Sequence, residues 1–117
     1  MDSKRRNVRI QQAFIDVALL ILLNESKQKY GLQMSKMLDT RFGISVGECT
    51  LYPRLDRLLK EKLVTCRWAA DSQGGQLRKY YRITKDGVAA MNAVLEQMRT
   101  FIARREKSPV VDLRADQ

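Results

Sequence analysis

The sequence predicts a mostly α-helical protein with one small β-hairpin, and three patterns support this fold class. Apolar residues recur every three or four positions in three consecutive segments of the first half, a spacing typical of amphipathic helices. Two short runs then alternate apolar and polar residues around the turn-forming stretch ADSQGGQ, as the strands of a hairpin do. A last helical pattern follows Thr84. The predicted order is therefore helix, helix, helix, hairpin, helix.

The first two predicted helices occupy the segment before Ile44. The first runs from about Ile10 to Asn24 and follows a basic arm, residues 1–9. Its apolar stripe consists of Ile10, Phe14, Val17, Ala18, Ile21 and Leu22. The second covers YGLQMSKMLDTRF, and Gly43 is predicted to end it in a left-handed C′ conformation, where glycine is favoured.

The third predicted helix, roughly Val46 to Glu61, has two chemically different faces. Ser45 and Glu48 have the S-x-x-E spacing of a capping box, which predicts where this helix starts. At about 100° per residue, four leucines share one side: Leu51, Leu55, Leu58 and Leu59. The opposite side carries Cys49, Thr50, Pro53, Arg57 and Lys60, with Arg54 at its flank. A proline inside a helix removes a backbone hydrogen bond and can bend the helix. Because Pro53 lies on the outward side, we expect any bend to leave the leucine face packed.

The hairpin strands are predicted in LVTCRWA and LRKYYRI, and the final helix in KDGVAAMNAVLEQMRTFIARR, with Thr84 as its cap. The final helix carries an apolar seam of heptad-like spacing, which suits a partner helix: Met91, Val94, Leu95, Met98, Phe101 and Ile102. The prediction thus divides the chain into the basic arm 1–9, a domain 10–83, a C-terminal helix 84–106, and a tail 107–117 that we expect to be flexible.

The charge of the chain favours a polyanionic partner. Its 117 residues include 22 Lys and Arg against 13 Asp and Glu, which gives a formal net charge of +9 and a pI near 9.9. Such a surplus on a small domain is typical of nucleic-acid binding, although a merely basic soluble protein is the alternative. The longest apolar run, Val17 to Leu23, is too short to span a bilayer, so we expect no membrane partner.

The residue types that are missing argue against an enzyme. The chain has no histidine, the commonest general base and metal ligand, and its two cysteines, Cys49 and Cys66, lack a zinc-type spacing. A glycine-rich phosphate loop and a secretory signal sequence are also missing from the sequence. We therefore predict a cytoplasmic protein with no cofactor, no metal and no catalytic residues.

Three helices followed by a two-stranded wing, on a basic chain, indicate a winged helix-turn-helix with an added C-terminal dimerisation helix. In this arrangement the second and third helices form the turn-helix pair, and the third lies in the DNA major groove. The side with Thr50, Pro53, Arg54 and Arg57 would then meet DNA, while the leucine face packs on the domain.

Three motifs together resemble the PadR family of bacterial transcriptional regulators. They are YG at Tyr30–Gly31, TLYP at Thr50–Pro53, and RKYYRIT at Arg78–Thr84. The resemblance covers roughly Phe14 to Arg105, and the single short helix after the wing is similar to the compact branch of the family. It implies a bacterial winged-helix homodimer that binds a pseudo-palindromic operator, usually as a repressor. It also implies a dimer made by the C-terminal helix, often with the first helix.

The sequence departs from the family pattern at two points. Lys62, in KEKLV, stands where the family usually has glycine. Some compact members bind flat aromatic compounds at the dimer interface through a tryptophan of the last helix, whereas the only tryptophan here, Trp68, lies in the wing. A small-molecule effector therefore lacks support in the sequence, and a ligand-responsive sensor of aromatic compounds is kept only as an alternative.

The predicted DNA-binding residues belong to the second helix, the third helix and the wing. They are Tyr30, Lys36, Thr50, Tyr52, Pro53, Arg54, Arg57, Gln76, Arg78 and Lys79. Each has a structural alternative, because tyrosine rings often pack and charged residues often form a solvated surface. The predicted dimer interface consists of Phe14, Met91, Val94, Leu95, Met98, Phe101 and Ile102.

Two other function classes are weighed against a DNA-binding regulator. A winged helix used as a protein-interaction module would show no salt-sensitive affinity for DNA. A basic amphipathic membrane binder needs lysine and arginine along one face of a helix, whereas the first helix has its charges at the N-terminus. We therefore predict a sequence-specific regulator that binds double-stranded DNA, with the third helix in the major groove and the wing on an adjacent groove.

Overall fold

The computed structural model describes residues 14–25 and 28–105. The basic arm 1–9, the first residues of the predicted N-terminal helix and the tail 107–117 lie outside the described residues. The predicted element order is confirmed, with one addition. The described elements are α1 (Ile15–Glu25), β1 (Lys29–Tyr30), α2 (Gly31–Phe42), α3 (Glu48–Lys60), β2 (Val64–Ala70), β3 (Leu77–Ile83) and α4 (Lys85–Arg105).

The added element is β1, which makes the sheet three-stranded. The strand order is β1-β3-β2, and both neighbouring pairs are antiparallel. Lys29 pairs with Tyr81 and Tyr30 pairs with Tyr80. The predicted hairpin is therefore part of a three-stranded sheet, whose third strand, β1, was not predicted from the sequence. A strand of two residues is too short to show the alternation from which a strand is recognised in sequence.

The hydrophobic core is built around α1, because six of its eleven residues are buried. Apolar residues of α2 and α3 pack against it: Met34, Leu38, Leu51, Leu55 and Leu58. The sheet adds Val64 and Tyr81, and α4 adds Met91. The predicted leucine face of α3 is thus largely confirmed as its inner face, which leaves the opposite side of the helix exposed.

A buried cation links the end of α1 to the sheet. Lys29 is almost fully buried, and its Nζ donates a hydrogen bond to the carbonyl oxygen of Leu22 at 3.0 Å. That carbonyl lies in the last turn of α1, where helical carbonyls lack partners within the helix. Burial lowers the pKa of the Lys29 ammonium group. The bond therefore fixes β1 directly after α1 and so sets the position at which α2 begins.

The start of α3 differs from the prediction. The helix begins at Glu48 with Gly47 as its N-cap, and the Gly47 carbonyl accepts bonds from the N–H groups of Thr50 (3.1 Å) and Leu51 (2.9 Å). Because Glu48 is the first helical residue and not the third, Ser45 and Glu48 have no capping-box geometry, and that prediction is wrong. A related bond occurs at α2 instead, where the Tyr30 N–H donates to Gln33 Oε1 at 3.0 Å.

The helix ends follow the predicted chemistry more closely. Gly43 adopts a left-handed conformation with φ 67° after α2, as predicted. Lys62 is also left-handed, with φ 62°, directly after α3. Thr84 caps α4, because its Oγ1 accepts a bond from the Gly87 N–H at 2.9 Å. Within the described ranges, no helix is long and apolar enough to cross a membrane.

Candidate nucleic-acid interface

The outward side of α3 is an exposed basic surface of the helix-turn-helix pair. Pro53, Arg57 and Lys60 are exposed there, while Leu51, Leu55 and Leu58 are buried on the other side. Pro53 lies inside the helix, as predicted, and on its exposed side. Arg57 makes no hydrogen bond or ion pair with any residue that the structure describes. Its guanidinium group is therefore available to a partner.

Arg54 is held by α1. Its Nη1 lies 3.3 Å from Asp16 Oδ1, and both side chains are partly buried. Thr50, one turn earlier, is half-buried. A guanidinium group has five N–H donors in a rigid fork, so one carboxylate leaves several of them free. The ion pair therefore orients Arg54 at the edge of the outward side of α3 without using up its donors. Sequence reasoning missed Asp16, because nothing in its spacing connects α1 to α3.

Tyr52 has a packing role at the junction of α2 and α3. A Cβ atom added at Gly31 would lie only 2.4 Å from Tyr52 Oη and 2.7 Å from its Cζ, so the tyrosine ring occupies the space that a side chain at Gly31 would need. The ring remains partly exposed. The YG and TLYP motifs therefore meet in space, and they fix how closely α3 approaches the start of α2.

Tyr30 and Arg78 form one cluster on the outer face of the sheet. The Tyr30 and Tyr80 rings pack edge to face at 5.5 Å, and the Arg78 guanidinium carbon lies 4.6 Å from the Tyr30 ring centroid. Arg78 Nε also lies 3.3 Å from Asp71 Oδ2 at the base of the hairpin turn. The Gly74 N–H, with Arg78 in support, holds the pKa of the Asp71 carboxyl below its usual range. Arg78 thus stiffens the wing, the β2–β3 hairpin.

The remaining predicted residues lie at separate places on the surface. Lys36 is exposed on α2, and Gln76 is exposed directly before β3. Lys79 is half-buried, with its Nζ 5.6 Å from the centroid of the Tyr81 ring. A cleft of about 260 Å³ joins the start of α2, the start of α3 and the wing. It is lined by Tyr30, Gly31, Leu32, Glu48, Tyr52, Trp68, Leu77, Arg78 and Lys79.

The predicted dimer residues divide into two groups. Met91 is 5% exposed and belongs to the core of its own chain, so it offers almost no surface to a second copy, and Leu95 packs partly against that core. Phe101 is 73% exposed, and Phe14, Val94 and Ile102 are also exposed. An apolar groove of about 340 Å³ lies beside them, lined by Phe14, Val17, Ala18, Ile21, Phe42, Ile44, Leu95 and Met98. This groove lies between α1 and α4.

Comparison with known proteins decides the family. Residues 19–93 match the model of the transcriptional regulator PadR-like family, which is more than half of the chain. The chain belongs to this family. An uncharacterised protein from Lysinibacillus sphaericus is 33% identical to it over 90 residues, which cover 75% of this chain and 81% of the relative. The family is one of transcriptional regulators.

Solved structures of PadR-like regulators have the same fold. A PadR family transcriptional regulator from Eggerthella lenta matches with a TM-score of 0.75 and 28% identity, over 90% of this chain and 89% of that one. A PadR-like transcriptional regulator from Bacillus cereus matches with a TM-score of 0.73 and 26% identity, over 85% of this chain and 94% of that one. The winged-helix prediction and the family resemblance are thereby confirmed.

Proposed function

We propose that this PadR-like protein binds double-stranded DNA sequence-specifically as a homodimer, with α3 in the major groove and the wing on an adjacent groove. The observation that carries the proposal is the two-sided character of α3. Leu51, Leu55 and Leu58 are buried in the domain, while Arg57 and Lys60 are exposed without a partner among the described residues. The net charge of +9 supports a polyanionic partner.

Different residues contact the bases and the phosphates in this proposal. Arg57 and Arg54 are placed to contact base edges, because arginine forms bidentate bonds with guanine in the major groove. Thr50, Tyr52 and Pro53, earlier in the same helix, are proposed to contact DNA beside these two arginines. Tyr30, Lys36, Gln76, Arg78 and Lys79 are proposed to contact phosphates, which position the protein without reading sequence.

The proposed homodimer uses the groove between α1 and α4. Exposed apolar side chains beside a groove are typical of a protein–protein contact. Phe14, Leu95, Met98, Phe101 and Ile102 supply this surface. Two copies related by a two-fold axis would present two α3 helices to a pseudo-palindromic operator, with half-sites about one helical turn apart or a multiple of it. Repression would follow where that operator overlaps a promoter, in the cytoplasm of a bacterium.

Binding of a labelled random-sequence duplex, followed by anisotropy from low to physiological salt, tests the proposal. We expect the affinity to fall steeply, since each neutralised phosphate releases a counterion and the logarithmic slope is roughly −0.9 per contact. Lys36→Ala, which loses a proposed phosphate contact, should reduce this slope by about one contact, whereas Arg99→Ala, on the exposed surface of α4, serves as the control that loses the same charge. A protein-interaction module would give no affinity, or an affinity that salt leaves unchanged.

A further inference from the structure

The wing exposes an apolar patch on the face that it turns towards α3. The strand register pairs Trp68 with Lys79 and Ala70 with Leu77, so these residues share one face of the sheet with Val64 and Tyr81. Val64 and Tyr81 are buried at the near end of that face. Trp68 and Leu77, at the far end, are each 62% exposed. We call Trp68, Leu77 and Lys79 the wing patch.

The large apolar side chains of the wing patch do not belong to the hydrophobic core. Trp68 and Leu77 lie beyond the core, so neither side chain stabilises the hairpin by burial on α1. Large apolar side chains grouped on a surface are typical of binding sites. Tryptophan in particular contributes much of the binding energy at interfaces, because its ring has a large apolar area and an N–H donor.

The position and charge of the wing patch indicate what covers it. All three of its residues line the cleft that Glu48 and Tyr52 of α3 also line, so the patch is continuous with the start of α3, where the proposed DNA contact Tyr52 lies. Of the four basic residues of β2 and β3, Lys79 lies in the patch, and Arg78, on the other face of the sheet, also lines the cleft. These two cations outnumber Glu48, the one acidic residue that lines the cleft, which favours a polyanion. A DNA duplex offers apolar deoxyribose walls between phosphates, which match an indole ring beside an ammonium group.

We propose that the wing patch is a DNA contact in which Trp68 and Leu77 pack against the sugar walls of the groove next to the one occupied by α3, while Lys79 pairs with a phosphate. This inference rests on the proposed function and deepens it. The wing then binds through an apolar face as well as through its charged side chains. Because deoxyribose is the same at every base pair, the patch contributes affinity without sequence preference.

The sole tryptophan of the chain makes the test direct, because intrinsic tryptophan fluorescence reports on Trp68 alone. Acrylamide quenching of the 117-residue chain is measured with and without a saturating duplex, while a labelled duplex records binding in parallel. We expect DNA to shield Trp68 strongly from acrylamide. Trp68→Ala should weaken binding about tenfold or more, equally for preferred and random duplexes, and Trp68→Phe should restore most of the loss. Thr65→Ala, on the other face of β2, is the control and should bind normally.

Three results would overturn the inference. If the duplex binds but Trp68 stays fully accessible and Trp68→Ala binds normally, the wing patch is not a contact, while the proposed function stands. If Trp68 is already shielded in the protein without DNA, a second copy of the chain covers the patch. If no duplex binds at all, the proposed function fails together with the inference. If Trp68→Ala folds poorly, acrylamide quenching of the wild-type protein still shows whether DNA covers Trp68.

Discussion

At the scale of single residues, Lys62 shows how the chain departs from its relatives. Lys62 stands where the family usually has glycine, the residue favoured at a left-handed C′ position, and its φ is 62°. The N–H groups of Lys62 and Leu63 bond to the carbonyls of Leu59 (3.0 Å) and Leu58 (2.9 Å), which is the bonding of a Schellman motif. The lysine therefore occupies a position that favours glycine, and the backbone bonds keep it there.

We expect Lys62→Gly to raise the melting temperature, because glycine adopts φ > 0 without the cost of about 1 kcal/mol that a Cβ atom brings. Thermal unfolding followed by circular dichroism measures the change. Glu61→Gly is the matched control and should lower the melting temperature, since Glu61 has an ordinary φ of −83°. Operator preference should be the same in both variants. A neutral or destabilising Lys62→Gly would contradict the account of this helix end.

Asp16 and Arg54 are expected to act as one unit in DNA recognition. Arg54→Ala should reduce the preference for the selected operator over random DNA by roughly 1–3 kcal/mol, the value of a bidentate base contact. Asp16→Asn should reduce it less, in the same direction, because the guanidinium group loses its orientation. Adding Asp16→Asn to Arg54→Ala should change nothing further. Glu25→Gln, which breaks the ion pair between Glu25 and Arg41 elsewhere on the domain, is the control.

If the losses of operator preference in Asp16→Asn and Arg54→Ala add fully in the double variant, the two residues do not act as one unit. If Arg54→Ala keeps the normal preference, the ion pair only attaches α3 to α1. Anisotropy with labelled operator and random duplexes, at one fixed salt concentration, gives the preference for each variant.

Tyr81 gives the fold a dependence on alkaline pH. Its hydroxyl is buried without a hydrogen-bond partner among the described residues, and burial, followed by Cys66, Asp56 and Tyr52, raises the pKa of Tyr81 from 10 to about 12. The folded state thus favours the neutral phenol. This contribution to stability is fully present below pH 10 and is lost as the pH rises from 10 towards 12.

Tyr81→Phe should therefore flatten the alkaline loss of stability, and at neutral pH it should be neutral or stabilising, since it removes an unsatisfied buried hydroxyl. Urea unfolding of both proteins from neutral pH to pH 12 measures the difference. Tyr80→Phe, on the outer face of the same strand, should keep the loss. An equal alkaline loss in Tyr81→Phe would mean that other groups cause it.

At the scale of elements, periodicity predicted α2, α3 and α4, because each helix buries one face over several helical turns. Alternation predicted the wing, because its strands bury one face over several residue pairs. The starts of elements were harder to predict. Ser45 and Glu48 had a suitable spacing, but the helix begins at Glu48, two residues after the expected Val46, and its N-cap is Gly47 and not Ser45. Strand β1 was missed because two residues show no alternation.

The candidate site was predicted in part, and for a physical reason. The rotation of about 100° per residue correctly places the basic residues of α3 opposite its leucines, since periodicity along one helix fixes its faces. It cannot reveal partners from other elements, such as Asp16 for Arg54 or Tyr30 for Arg78. Nor could it reveal that Gly31 and Tyr52 meet, because that contact joins two helices whose packing the sequence alone does not determine.

At the scale of the whole molecule, the proposed dimer depends on the groove between α1 and α4. Met98→Asp should place a charge in this apolar groove and cause dissociation, because an unpaired charge is costly to bury. Analytical ultracentrifugation should then show monomers and a weaker affinity for the operator. Gln97→Asp, at the neighbouring exposed position, is the matched control and should remain dimeric. A dimer that survives Met98→Asp would place the interface elsewhere.

Selection of bound sequences from a random duplex pool at a stated salt concentration shows whether α3 reads DNA sequence. We expect enrichment of a two-fold symmetric sequence with half-sites about one helical turn apart, or a multiple of it, because each protomer presents one α3. Arg57→Ala should lose or relax this enrichment at the base pairs that α3 contacts. A pool that remains random, or an enriched sequence that Arg57→Ala and Arg54→Ala select equally well, would contradict the assignment of α3 as the element that reads DNA.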